Sequence, residues 1–217
     1  MQSYYADRAP EYDSIYAKPE RQSDLRLIEA WLPEVFRGRS VLEIACGTGY
    51  WTQFIAPVAA DVVALDSSPE TMRIAEERVP PGTVEFVVGD AYDLPKFTRK
   101  FARGFAGFWH SHVPVTRIRE FLRGFHARLE PGAKVVLLDN LYVEGSSTPI
   151  SERDADGNTY QTRKLRDGTT HRVLKNFPGE SELRSITEGL ASDLQYRTWQ
   201  HYWAVEYVAN ADGAAAR

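Results

Sequence analysis

Apolar residues recur along this chain in short blocks separated by helix-like stretches. Val41-Leu42-Glu43-Ile44-Ala45, Asp61-Val62-Val63-Ala64-Leu65-Asp66, Thr83-Val84-Glu85-Phe86-Val87-Val88, residues 103–109 and Lys134-Val135-Val136-Leu137-Leu138-Asp139 have strand length and strand composition. Helices are expected between them. One runs from about Gly49 to Ala56 and stops near Pro57. Another starts at Ser67-Ser68-Pro69-Glu70, with a serine cap, then proline and an acid in the first turn. A third spans Val115 to Leu129, ended by Glu130-Pro131-Gly132. Ahead of the first strand, residues 4–17 and 20–32 read as two helices with apolar residues on one side, a helical cap over residues 1–32.

Beyond strand five the pattern changes. Residues 141–178 are polar and charged, with Asp167-Gly168 between strand-like runs 159–166 and 169–177, a hairpin signal. A helix follows over 180–190. Two last runs, 193–199 and 201–209, are too close together for a parallel crossover and are expected to pair antiparallel. The last residues, 210–217, carry no packing pattern and are expected to fray. Apolar strands alternating with helices predict an α/β chain: a Rossmann-like, seven-stranded, mostly parallel sheet covered by helices on both faces, with a terminal antiparallel strand and a β-hairpin lid inserted after strand five. The whole chain reads as a single domain. Such sheets bind ligands beyond the carboxyl ends of their strands. Glu43, Asp66, Asp90, Trp109 and Asp139 stand there.

Composition narrows the function without deciding it. The 217 residues carry a net charge of -4, which argues against a general nucleic-acid binder. One cysteine, Cys46, excludes an intrachain disulfide. No stretch has the basic-then-apolar pattern of a secretion signal, and none has the ~20 apolar residues of a membrane span. The expected location is the cytoplasm, with no nucleic-acid or membrane partner, no metal, and a monomer or homodimer.

The turn Glu43-Ile44-Ala45-Cys46-Gly47-Thr48-Gly49 is the feature that carries chemistry. Its glycines alone are consistent with a sharp bend. A nicotinamide or flavin site is the main rival, but its fingerprint needs a third glycine where Thr52 stands, and Glu43 would repel the diphosphate. S-adenosyl-L-methionine has no phosphate and carries an ammonium and a sulfonium, which suit an acid at that place. Asp66 follows at the end of strand two, where a carboxylate accepts ribose hydroxyls. Asp90, just past strand three, is placed to accept from the adenine amino group. A solvated loop acid is the bland reading of each alone; three acids at three consecutive strand ends argue together.

These segments, with Leu65-Asp66-Ser67-Ser68-Pro69-Glu70-Thr71-Met72 and Gly89-Asp90-Ala91, resemble the class I S-adenosylmethionine-dependent methyltransferases. Ala45 replaces the first glycine of the family's turn. The resemblance implies that Glu43 and the Ala45–Gly49 backbone, including Gly47, hold the methionyl part. It places Asp66 on the ribose and Asp90 with Ala91 at the adenine; Ser67 and Trp109 line the site. Further motifs resemble the small phosphonate O-methyltransferases of dehydrophos biosynthesis and their relatives: Tyr4-Tyr5-Ala6-Asp7-Arg8-Ala9-Pro10-Glu11-Tyr12-Asp13, Trp109-His110-Ser111-His112-Val113-Pro114 and Arg172-Val173-Leu174-Lys175. That likeness implies secondary metabolism, a small acidic methyl acceptor, and contact between the acceptor and Arg163 and Lys175.

Aromatic faces help to hold a sulfonium. Tyr5, Tyr12, Trp51 and Trp109 are candidates, with plain core packing as the alternative for each. The insertion between Tyr160 and Phe177 contains five Lys/Arg and one acid. A two-residue turn at Asp167-Gly168 would pair Arg166 with Thr169 and set Arg163 opposite Arg172. Like charges so placed repel unless an anion lies between them, which adds Arg172 to the expected acceptor contacts. An acceptor that is already an oxyanion needs no base. For a hydroxyl or amine, His112 is the first candidate base and His110 the second. The alternatives from other classes are an N-methyltransferase using His112, a nicotinamide-dependent reductase, and a ligand sensor without catalysis.

Overall fold

A computed structural model describes residues 13–165 and 167–210. Among the described residues, ten strands form two sheets. β1 (Ser40–Ile44), β2 (Asp61–Asp66), β3 (Val84–Val88), β4 (Phe101–Gly107), β5 (Leu129–Asn140), β9 (Ala191–Thr198) and β10 (Tyr202–Ala209) make a seven-stranded sheet in the order β3-β2-β1-β4-β5-β10-β9. β6 (Ile150–Arg153), β7 (Thr159–Lys164) and β8 (Thr170–Leu174) make a separate antiparallel sheet. The helices are α1 (Gln22–Phe36), α2 (Thr52–Ile55), α3 (Pro69–Arg78), α4 (Ile118–His126) and α5 (Glu180–Thr187).

Strands β1 to β5 pair parallel, and β10 enters antiparallel between β5 and β9. The expected seven-stranded Rossmann-like sheet is therefore the one observed. Alternation along β1 explains why both faces must be covered. Leu42 and Ile44 join one core with Val63, Leu137 and the α4 residues Phe121, Leu122 and Phe125. Val41 joins the opposite core with Val62, Val136 and the α1 residues Leu25, Ile28, Leu32 and Phe36. Those four α1 residues are fully buried along one stripe of the helix. Burial of each contributes about 1.5–3 kcal/mol. That anchorage carries α1 past Pro33, beyond the stop expected near 32.

The sheet reverses its order between β1 and β4, the switch point at which open α/β sheets bind ligands. Smaller differences from expectation have local causes. Only residues 13–17 of the first expected helix, 4–17, lie within the described residues, and 13–15 form a single 3-10 turn. The 115–129 helix starts with a 3-10 turn, Val115–Arg117, and its regular part is α4. β4 ends at Gly107, so Trp109 follows the strand rather than closing it. β6 had no periodic signal, because all four of its residues are exposed.

The hairpin register differs from the expected one by a single residue. Leu165 N–H donates to the Thr169 carbonyl at 2.9 Å, so three residues rather than two cross the turn. Gly168 takes the left-handed conformation such a loop requires, at φ 92°. Arg163 therefore faces His171, and Arg172 faces Thr162. A shift of one residue sends Arg163 and Arg172 to opposite faces of the sheet.

Candidate active site

The carboxyl ends of β3, β2 and β1 lie side by side and carry the expected acids. The turn leaving β1 is left-handed at Ala45, Gly47 and Gly49, with φ of 56°, 55° and 73°. Gly49 is required twice over. A Cβ there would lie 2.8 Å from the Ala75 Cβ and 3.0 Å from its Cα, so only glycine lets α3 approach.

Asp66 ties this turn to α3. Its Oδ2 accepts the Gly47 N–H at 2.8 Å, and its Oδ1 accepts the Ser68 N–H at 2.9 Å. Ser68 caps α3 by accepting the Thr71 N–H at 3.3 Å. Burial raises the Asp66 carboxyl above its ordinary range, and these amide bonds oppose the rise. A carboxylate has about four lone-pair sites, so it can take a hydroxyl alongside amide donors.

Glu43 is 2% exposed, and its Oε2 has no hydrogen-bond partner among the described residues. Burial pushes its pKa up to about 8, with the charge of Asp66 adding to the effect. A carboxyl so placed calls for a proton or a cation. The Gly47 amide, which would face a diphosphate, is already taken by Asp66. The residues thus fit an ammonium-bearing ligand and not a dinucleotide.

The remaining expected cofactor residues surround this turn. Asp90 is exposed beyond β3 and accepts the Tyr92 N–H at 2.9 Å; Ala91 beside it is buried and Ser67 is exposed. Trp109 stands edge-on to Tyr92 at 5.8 Å, and its indole N–H is buried with no acceptor among the described residues. Trp51 is in the core instead, its ring edge-on to Tyr16, Tyr50 and Phe108 at 6.0, 5.0 and 5.9 Å. Its packing is that of a core side chain. Tyr5 and Tyr12 lie outside the described residues. Two residues that sequence reasoning missed close the turn from above. Thr48 Oγ1 donates to Asp13 at 2.6 Å, and Arg78 of α3 forms an ion pair with the same carboxylate. Separations of 35 and 65 residues left no local signal for either contact.

The ends of β4 and β5 build the other half of the site. Phe108 adopts φ 58°, and a 3-10 turn, His110–His112, follows. Asp139 is fully buried at the end of β5. It accepts the Ser111 N–H at 3.0 Å, the Asn140 N–H at 2.8 Å and Lys175 Nζ at 2.8 Å. Lys175 Nζ also donates to Ser111 Oγ at 2.6 Å. Burial opposes both charges. It pushes the Lys175 ammonium down to about 8, whereas the charge of Lys175 and the hydrogen bonds outweigh it at Asp139 and hold that carboxyl well below the usual range. Both are charged at neutral pH.

His112 Nδ1 lies 2.7 Å from the Leu174 carbonyl, which can only accept. Nδ1 therefore carries the proton, and Nε2 has the lone pair of a neutral ring. Burial, followed by the charges of Lys175 and Arg163, holds its pKa well below the ordinary histidine value. His110 is different: it is buried edge-on to Trp203 at 5.6 Å, and burial pushes it down to about 4. It is not on the wall of the cavity described next.

A cavity of about 330 Å³ opens between the hairpin, the N-terminal segment and the ends of β4 and β5. Its walls include Phe108, His112 and five cations, Lys18, Arg21, Arg163, Lys164 and Lys175, and no carboxylate among the described residues. Arg163 is held by two hydrogen bonds from its guanidinium to Gln161 Oε1, at 3.1 and 2.7 Å. Arg172 is not on the wall. It makes a bidentate pair with Glu152, both bonds 2.8 Å, and lies over the Tyr160 ring at 3.4 Å. The expected pairing of Arg172 with Arg163 is thus replaced, and the cause is the one-residue register shift. Lys18 and Arg21 were missed, because Lys18 falls between the two expected N-terminal helices, 4–17 and 20–32, and Arg21 falls within the second, both read as parts of a plain amphipathic cap.

Comparisons with known proteins find methyltransferases. Residues 41–132 match the family model described as a methyltransferase domain. An uncharacterized methyltransferase of Synechocystis sp. is 34% identical over 107 residues, covering 47% of each chain. The match spans about half the length of that curated relative. Among solved structures, a DhpI complex with SAH aligns with a TM-score of 0.79 and 28% identity, over 96% of this chain and 95% of that one. A DhpI-SAM-HEP complex aligns with a TM-score of 0.76 and 29% identity, over 94% of each.

Proposed function

We propose, from the premise that this chain is a class I S-adenosylmethionine-dependent methyltransferase, that it moves a methyl group to an oxygen of a small acidic molecule, a phosphonate or a carboxylate. The observation that carries this reading is the cavity wall: five cations and no carboxylate among the described residues. Arginine and lysine so arranged suit phosphonate or carboxylate oxygens.

S-adenosyl-L-methionine supplies an electrophilic methyl on a sulfonium and leaves as S-adenosyl-L-homocysteine. Glu43 and the Ala45–Gly49 turn would hold its methionyl part, Asp66 its ribose, and Asp90 with Ala91 its adenine. Ser67 and Trp109 complete the walls. The chain's task is then to place an acceptor oxygen in line and exclude water. Arg163 and Lys175 bind and orient the anion. They withdraw part of its charge, but hydrogen bonds to Gln161 and to Asp139 and Ser111 fix their directions. An oxyanion acceptor needs no proton removed.

A second reading keeps His112 as base for a hydroxyl or amine acceptor. Its supporting observation is the fixed tautomer, which leaves the Nε2 lone pair as the ring's only basic atom. The depressed pKa makes His112 a weak base, which favours the oxyanion reading.

A screen with isotopically labelled cofactor against small phosphonates, carboxylates, phenols and amines tests both. Transfer to acids is expected, with Arg163→Ala raising the acceptor KM by ~10–100-fold, the loss of one charged hydrogen-bonding partner. Cofactor affinity in that variant should stay within about twofold, a bound set by placing Arg163 outside the cofactor half. Transfer to amines alone, with a pH limb that vanishes in His112→Ala, would support the second reading.

A further inference from the structure

The cations of the cavity fall into two groups with different partners. Lys175 is neutralised by the buried Asp139 and stands with Arg163 on the hairpin side. Lys18 and Arg21 come from the N-terminal segment, and their recorded hydrogen-bond acceptors are neutral. Arg21 Nη1 donates to Asn140 Oδ1 at 2.9 Å, and its Nε and Nη2 donate to Ser146 Oγ at 3.2 Å. Lys18 Nζ donates to the Ser146 carbonyl at 2.6 Å. Glu20, an acid of the same segment, accepts from the Ser146 hydroxyl at 2.9 Å and is exposed.

Arg21 is 6% exposed. A guanidinium at that depth, with neutral oxygens as its hydrogen-bond acceptors and no ion pair to an acid among the described residues, lies 5.6 Å from the Tyr202 ring centroid and next to open volume, where burying its charge is costly. A counter-anion in the cavity would remove that cost. Asn140 fixes the relation between the groups: its Nδ2 donates to Asp139 Oδ1 at 3.1 Å while its Oδ1 accepts from Arg21. Consecutive residues at the end of β5 thus hold one cation group each.

We propose that the acceptor carries two anionic groups, with Arg163 and Lys175 holding the one that is methylated and Arg21 with Lys18 holding the other. This rests on the reading of the cavity as the site of a small acidic acceptor, and it narrows that class to dianions such as phosphonocarboxylates or dicarboxylates. The cavity volume suits a molecule of that size.

The test compares matched acceptors with the purified full chain and labelled cofactor: 3-phosphonopropionate against propylphosphonate, and glutarate against pentanoate. The expected kcat/KM is at least ~10-fold higher for each dianion, the effect of one added ionic contact. Arg21→Met and, separately, Lys18→Gln should each cut the dianion-to-monoanion ratio by ~10-fold or more. Lys18 is the less buried of the two, so its variant tests the idea if Arg21→Met fails to fold. A purely structural role would lower both rates and leave the ratio unchanged, and that result overturns the proposal. So would equal rates for dianions and monoanions, which leaves the acidic-acceptor reading intact. Transfer to no acid of either kind overturns both.

Discussion

The two halves of this site solve opposite electrostatic problems. At the ends of β1 and β2 the chain buries or half-buries acids, with Asp90 exposed beyond β3, and Glu43 keeps an oxygen with no donor among the described residues. At the ends of β4 and β5 it gathers cations and buries Asp139, which neutralises Lys175. The first half suits a cationic cofactor, the second an anionic acceptor. Keeping the two signs apart on one sheet edge also limits cross-binding, because each ligand would meet like charge in the other's place.

The strongest break in this comparison is Asp66→Ala. It removes the proposed ribose acceptor and also the bonds that hold Gly47 and Ser68. Cofactor-product affinity should fall ~100-fold or more by calorimetry, as for loss of several buried hydrogen bonds. A loss confined to acceptor KM would assign Asp66 to the wrong half. Arg163→Ala is the mirror test, with the acceptor KM shift given above and little change in cofactor affinity.

Proton linkage sharpens the contrast. Glu43 has its pKa raised from 4.5 to about 8 by burial. The folded chain therefore holds a proton that the unfolded chain has released, and the stability this contributes is lost as pH rises from 4.5 through about 8. Cofactor binding should run the other way: an ammonium favours the ionised carboxyl, so S-adenosyl-L-homocysteine should bind several-fold tighter at pH 8 than at pH 6.5, an effect of order one proton released. Glu43→Gln should abolish the proton release seen by calorimetry in buffers of different ionisation enthalpy. Persistence of the release in that variant would exclude Glu43 as its source.

In the other half the sign reverses. Lys175 has its pKa lowered to about 8, so it is cationic below that pH and neutral above. Acceptor kcat/KM should fall as pH rises through about 8, and Lys175→Gln should lower the plateau and remove that limb. An unchanged limb would place the titrating group elsewhere. The smallest effect is expected from Arg172→Ala, whose exposed pair with Glu152 stands off the cavity. Its acceptor KM should stay within about twofold of the parent, as for other surface ion pairs remote from a ligand. A shift as large as that of Arg163→Ala would mean that the hairpin re-registers in solution.

The sequence alone determined the parallel sheet, the order of its acids and the cofactor turn. These depend on signals a few residues long: apolar runs, a glycine forced by a left-handed turn, a serine cap, an acid at each strand end. Asp66 and Gly49 were legible for that reason. Only the tertiary structure decided the make-up of the basic cavity. A single residue more in the hairpin turn took Arg172 off the wall and left Arg163 on it. Lys18 and Arg21 reach the cavity across more than 100 residues, by contacts with Ser146 and Asn140 that no local pattern encodes. Asp139 was visible as a strand end, but its partner Lys175 depended on how the hairpin folds back over β5. Strand ends are fixed by local periodicity, whereas a cavity between an insertion and a distant N-terminal segment is fixed by register and packing.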